Sequence, residues 1–142
     1  MNNITSLVQQ SLLFYVTTAN LPFIPAGQVY PGLNTLSAVV PAVVCKCQDA
    51  VCTNDEEGTW KAHARIEYRE NHDDSGEELH HERAGAVFAL FSTATLAEDL
   101  SNARNGFTCH YKKRTKQGWY VDGRLWVSYL ELDLDCCSSD IP

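Results

Sequence analysis

Residues 59–69 constrain this chain's fold more than any other stretch. Trp60, Ala62, Ala64, Ile66 and Tyr68 fall on one side of an extended backbone, and Lys61, His63, Arg65, Glu67 and Arg69 fall on the other. Successive side chains of a strand point to opposite faces, so this period of two defines a half-buried antiparallel strand with a wet face. The two small alanines on its apolar side leave room for a helix to pack closely. A second alternating run closes the chain, with Trp126, Ser128, Leu130, Leu132, Leu134 and Cys136 inward and Tyr129, Glu131, Asp133 and Asp135 outward. Strands of this kind need neighbours for their hydrogen bonds and a layer to cover their apolar side.

The rest of the chain supplies both. Ile4, Leu7, Val8, Leu12 and Tyr15 recur at steps of three and four and predict a helix over 4–19. Residues 20–34 hold three prolines and two glycines, which predicts an extended arm. Residues 36–47 read as a strand, with Val39, Val43, Cys45 and Cys47 on one face. Pro41 lacks a ladder donor and favours an edge or a bulge there. Residues 48–58 read as an acidic hairpin loop and 71–76 as a turn. Ser75 and Glu78 fit a capping box, opening a helix that carries Leu79, Arg83, Ala86, Val87 and Leu90 at helical spacing. A short helix over 95–103 turns Leu96, Ala97 and Leu100 inward. After Phe107, Cys109 and Tyr111, the basic run 112–116 reads as a loop leading into the last strand. This order predicts one α+β domain over residues 1–142. Its sheet is mainly antiparallel, and an N-terminal helix and one or two central helices pack on it.

A chain of 142 residues can bury a core without staples. Its formal net charge of −7 argues against a general nucleic-acid binder, which needs a surplus of Lys and Arg. No apolar run approaches the roughly 20 residues of a membrane helix. Residues 1–18 lack Lys and Arg and hold only a short apolar run, so they read as an amphipathic helix rather than a signal, and an intracellular protein is expected. On that expectation the six cysteines, Cys45, Cys47, Cys52, Cys109, Cys136 and Cys137, read as free thiols, mostly buried.

The candidate chemical motifs are weak. His80-His81-Glu82 suggests a zinc protease, but that site needs a second histidine four residues on, where Ala84 and Gly85 stand. The plainer reading is a polar helix face with His80 and His81 at its edge. Cys45, Cys47, Cys52, Cys109 and His63 could surround a zinc ion, yet no C-x-x-C pair exists. Glu131, Asp133 and Asp135 share one strand face and could serve acid–base work or hold Mg²⁺; a solvated or inter-subunit face is the plainer reading. The sequence assigns no catalytic, cofactor-binding or metal residue.

Charge layout says more. Residues 49–82 carry eleven acidic and three basic side chains, whereas residues 104–124 carry six basic and one acidic. Opposite flanks of this kind allow head-to-tail docking of copies into a ring. The alternative is mutual neutralisation within one chain by adjacent strands. The docking reading selects Lys112, Lys113, Arg114 and Lys116 on the basic side, and Asp55, Glu56, Glu57, Asp73 and Asp74 on the acidic side.

Three stretches also carry a resemblance. They are the polar turn and helix of residues 73–87 followed by 96–100, the run Gly123-Arg124-Leu125-Trp126-Val127 with its alternating continuation, and the ending Cys136-Cys137-Ser138-Ser139-Asp140-Ile141. Over residues 36–142 the chain resembles small virion proteins from the head-to-tail region of tailed bacteriophages, of the tail-terminator type. The resemblance implies a structural protein without catalysis or cofactor. It would form a ring, expected to be hexameric, that caps the tail tube and joins it to the neck. Expected partners are further copies, the tail-tube protein and a neck or adaptor protein. DNA would pass without sequence-specific binding, with Asp133 and Asp135 facing the channel. The expected location is the virion, after assembly in the host cytoplasm, with no membrane contact. A head-closure adaptor and a capsid cement protein share the same small α+β build and stand as alternatives. The alternative from another class is a small Cys/His metal-binding enzyme or redox protein.

Overall fold

A computed structural model describes residues 3–32, 39–54, 58–104 and 106–138. The described elements are helices α1 (Ile4–Ala19), α2 (Glu77–Ala89) and α3 (Leu96–Asn102), and strands β1 (Val29–Pro31), β2 (Ala42–Asn54), β3 (Thr59–Asn71), β4 (Phe107–Asp122) and β5 (Leu125–Ser138). The five strands form one sheet in the order β1-β2-β3-β5-β4. Among the described strands the β1–β2 pairing is parallel, and β2–β3, β3–β5 and β4–β5 are antiparallel. The α+β class expected from the alternating runs is therefore the observed one.

The period of two decides where the core sits. Ala62, Ala64, Ile66 and Tyr68 of β3 lie opposite Leu134, Leu132, Leu130 and Ser128 of β5. The first three pairs join Val43 and Cys45 of β2 in a single apolar cluster, together with Leu7, Val8 and Leu12 of α1, Val87 and Phe88 of α2, and Leu96 and Leu100 of α3. All three helices thus cover one face of the sheet. Each fully buried leucine contributes roughly 2 kcal/mol through removal of its surface from water. The α1 start is fixed by Asn3, whose Oδ1 accepts the Ser6 N–H at 2.8 Å, and its end by Asn20 in the left-handed region at φ 52°. Ser11 donates to the Leu100 carbonyl at 2.5 Å and Tyr15 donates to the Leu90 carbonyl, tying α1 to the other helices.

Several boundaries differ from the sequence expectation. Strand β2 begins at Ala42, after the cis Val40–Pro41 bond, and runs to Asn54 instead of turning into a loop at 48. Its partner β3 is paired along the whole length, and register shifts between Cys47 and Asp49 and between Cys52 and Asn54 absorb the irregular pattern. The expected first part of this strand, residues 36–38, and the acidic tip, Asp55, Glu56 and Glu57, lie outside the described residues. The 112–116 run is not a loop. It lies within β4, which is continuous to Asp122 because β5 offers it a ladder throughout, with shifts between Cys109 and Tyr111 and between Arg114 and Lys116. Gly123, at φ 60°, makes the turn between the two strands.

The expected capping box is also absent. Gly76 is the N-cap of α2, without a side-chain cap bond, and the Ser75 carbonyl instead accepts the Trp126 indole N–H at 3.1 Å. The buried stripe of α2 is His80, Ala84, Val87 and Phe88, while Leu79 is exposed. The helix is thus rotated from the apolar face expected of it. The arm over residues 20–32 is laid against the core through Leu21, Phe23, Ile24 and Val29, and it contributes β1 as a short edge strand.

Candidate functional site

Three features stand out: a buried polar string, a charged sheet face and an aromatic strand edge. The first centres on His80, which is 0% exposed, with Glu70 at 2% and Ser128 at 3%. Glu70 extends the inward series of β3 by one step beyond Tyr68, and Ser128 sits opposite Tyr68 on β5. His80 Nδ1 lies 3.0 Å from Glu70 Oε1, and Nε2 lies 2.7 Å from Ser128 Oγ. An ionised carboxylate only accepts, so Nδ1–H donates to Glu70 and the serine hydroxyl donates to Nε2. The other Glu70 oxygen accepts from Tyr68 Oη at 2.9 Å and from Arg83 Nη1 at 2.8 Å. The His80 ring is stacked between Tyr68 and Trp126 at centroid distances of 5.4 and 6.1 Å.

The electrostatics follow from this packing. Burial by itself would raise the Glu70 pKa, but hydrogen bonds from Arg83, Tyr68 and His80 outweigh it and hold the carboxyl below its ordinary value. Burial lowers the His80 pKa, and the nearby Glu70 only partly offsets that effect, so the ring is neutral near pH 7. Burial, followed by the Glu70 charge, pushes the Tyr68 phenol up. Serine, histidine and carboxylate in this order are the members of a hydrolytic triad. Here the serine lies within a strand under the helix layer, where a substrate carbonyl has no approach. The arrangement can lock α2 onto the sheet; a nucleophile would need exposure.

The second feature is the sheet face away from the helices. Across β3 and β5, Lys61 faces Asp135, His63 faces Asp133 and Arg65 faces Glu131. His63 is hydrogen-bonded to Asp133, and Arg65 Nη1 lies 3.9 Å from Glu131 Oε2. Glu67 takes Arg65 Nε at 2.7 Å on one oxygen and Arg69 Nη2 at 2.6 Å on the other. The Arg65 guanidinium also lies 4.1 Å above the centre of the Tyr129 ring. Each carboxylate of the acidic row Glu131, Asp133 and Asp135 therefore faces a basic side chain across the ladder. The wet face expected for β3 is drier than predicted, with Glu67 only 8% exposed.

The third feature is β4, an edge strand of the sheet. Trp119, Tyr120 and Val121 are 44%, 38% and 52% exposed near its hairpin end. Trp119 packs against His81 and Trp126 on the helix side, and Tyr120 packs near Tyr129 on the other.

The expected interface residues are scattered among these features. Lys112 Nζ donates to the Phe91 carbonyl at 3.1 Å, and Arg114 reaches the Phe88 carbonyl at 3.4 Å and Ser92 Oγ. Both cations thus serve the carbonyl end of α2, where a helix dipole favours positive charge. Lys113 and Lys116 lie opposite Asp133 and Glu131 on the charged face. The basic segment is therefore matched by β5 rather than by residues 49–82. Asp73 is exposed beside His72, at 3.3 Å, and Arg124, at 3.9 Å, and Asp74 is exposed in the same turn.

The suggested zinc set is not brought together, because Cys45 points into the core and His63 lies on the opposite sheet face. Among the described residues no group of three or more His, Cys, Asp or Glu side chains is placed to hold a metal ion. Cys45, Cys109 and Cys136 are buried, and Cys47, Cys52 and Cys137 are half-buried. Burial pushes the Cys45 and Cys136 thiols up to about 12 and the Cys47 thiol up to about 11, which disfavours the reactive thiolate. No described helix is long and apolar enough to cross a membrane. No family model and no curated protein matches the chain.

Reading by residue type missed His80, Glu70 and Arg83. Two signals pointed to them. Glu70 continues the even-numbered inward series of β3, and His80 precedes Ala84, Val87 and Phe88 at helical steps.

Proposed function

We propose that this chain is a structural subunit of a tailed-bacteriophage neck, of the tail-terminator type. It acts by matching its surface to other copies in a ring and to the tail tube and neck protein that the ring joins. The observation that supports this reading is the division of its polar groups. The string with reactive geometry, Ser128–His80–Glu70, is closed inside the core, at 3%, 0% and 2% exposure. What meets solvent is a sheet face of charges facing one another across strands and an aromatic strand edge, both suited to binding proteins. On this reading Asp133 and Asp135 belong to the face that passing DNA meets. Their neighbours Lys61, His63 and Lys113 leave no net cationic track to hold phosphates.

The test is localisation by electron microscopy of purified particles, with antibody or gold label on the chain, together with native mass spectrometry of the recombinant protein. A ring of copies at the head-to-tail junction is expected. A chain absent from purified particles overturns the reading, and a chain spread over the shell replaces it with the cement alternative.

A further inference from the structure

We infer that the free subunit forms a two-fold dimer by antiparallel pairing of β4 with β4 of a second copy, centred on Trp119. The inference does not rest on the neck assignment; it follows from the edge strand itself. An edge strand presents unpaired backbone N–H and C=O groups, and a long apolar edge is a template for another strand. Over residues 116–122 this edge is Lys-Gln-Gly-Trp-Tyr-Val-Asp. One charge stands at each end, opposite in sign, with an uncharged aromatic span between. Lys116 and Asp122 are both exposed, and neither forms an ion pair among the described residues.

Register selects the centre. A two-fold axis perpendicular to the sheet keeps both helix layers on the same side. Directly opposed residues must then share a face, and only shifts that preserve the pleat are allowed. Centring on Trp119 puts Lys116 of each copy opposite Asp122 of the other, so the same ion pair forms twice. It also puts Tyr120 opposite Gly118 on the charged face, where the Tyr129 ring lies over the glycine, so that the partner's Tyr120 meets an aromatic ring; a Cβ at Gly118 would stand 2.6 Å from the Tyr129 hydroxyl. On the helix side Trp119 meets Trp119, and Val121 meets the stem of Gln117. Centring on Gly118 instead would put Lys116 opposite Tyr120 and leave Asp122 without a cation, because the shift between Arg114 and Lys116 turns Arg114 to the helix side, where it holds the Phe88 carbonyl and Ser92. Centring on Tyr120 would oppose Lys116 to Arg124, two like charges. The Trp119 register is thus the one whose charges agree, and an isologous contact of this kind closes at two copies.

The experiment is sedimentation equilibrium of the full chain from about 1 to 100 μM, an interval that brackets ordinary transient dimers. Three variants accompany it: Lys116→Asp, Asp122→Lys and the double swap. Folding of each is checked by circular dichroism, since both side chains are exposed and outside the core. The unsubstituted chain is expected to dimerise, each single reversal to weaken the dimer at least tenfold, and the double swap to restore it. A chain monomeric throughout this range, a dimer indifferent to the single reversals, or one not restored by the swap overturns the inference. Particle localisation does not bear on any of these outcomes, so the two readings fail separately.

Discussion

His80 is the residue on which most of the buried polar balance turns. Its neutral ring donates to Glu70 and accepts from Ser128, and with Arg83 and Tyr68 the carboxylate is fully partnered. Substituting His80→Phe would fill the space between Tyr68 and Trp126 but leave Glu70 and Ser128 each short of a partner. A loss of about 2 kcal/mol at pH 7 is expected, in the range for a stranded buried polar group. The pH dependence carries a further signature. His80 titrates in the fold below its ordinary 6.5, so the unfolded chain takes up its proton first. Stability from keeping the ring neutral is full above about pH 6.5 and declines as pH falls toward the folded-state pKa. Glu70, held below 4.5, adds a second loss at lower pH, as acid falls through its folded value. Urea unfolding of both proteins between pH 7 and 5 is therefore expected to show the gap narrowing on acidification. A gap that is constant or widening would contradict the neutral-ring account.

Residues of this kind also show where the sequence stops being legible. The inward series Ala62, Ala64, Ile66 and Tyr68 was visible because apolar side chains report their own burial. Glu70 and His80 carry the opposite label, and only their joint placement on two elements makes their burial affordable. That pairing spans a strand and a helix, and no local pattern announces it. The closing of Ser128 against His80 was invisible for the same reason, although Ser128 itself was placed on the core face by its neighbours.

At the scale of elements, β4 is where expectation and structure part most. Five consecutive polar residues, Lys112 to Lys116, look like a loop in isolation, yet pairing with the alternating β5 holds them extended. Two of them then find work on the helix layer. Lys112 and Arg114 reach carbonyls at and just beyond the end of α2, which has no basic residue in its own last turn. Arg114→Ala is accordingly expected to cost about 1 kcal/mol in chemical unfolding and to speed amide exchange at the C-terminal turn of α2 more than at its start. An unchanged exchange pattern would show that the guanidinium is not holding the helix end. This placement also separates two roles that the charge run had merged. Lys112 and Arg114 are occupied inside the subunit, Lys116 lies exposed over the Tyr129 ring, and Lys113 remains for contacts outside it.

For the whole molecule, the helix layer and its sheet are asymmetric by construction. One sheet face is committed to the core, and the other offers a field of mixed charge, from Lys46 and Arg65 through Glu131 and Asp133 to Lys113. If copies meet through that face in a ring, the contact depends on fields that salt shortens, from about 10 Å at 0.1 M to about 3 Å at 1 M. Lys113 is the discriminating position. It is exposed and forms no ion pair or hydrogen bond among the described residues, so Lys113→Glu should leave the unfolding free energy within about 0.5 kcal/mol. The same substitution places a second carboxylate opposite Asp133 and reverses the charge offered to a neighbour. Ring assembly, followed by native mass spectrometry over that range of salt, is expected to weaken with ionic strength and to fail first in the Lys113→Glu protein. Assembly that ignores both salt and Lys113 would mean that copies meet through apolar surface, leaving the charged face to the tail tube, the neck protein or the DNA between them.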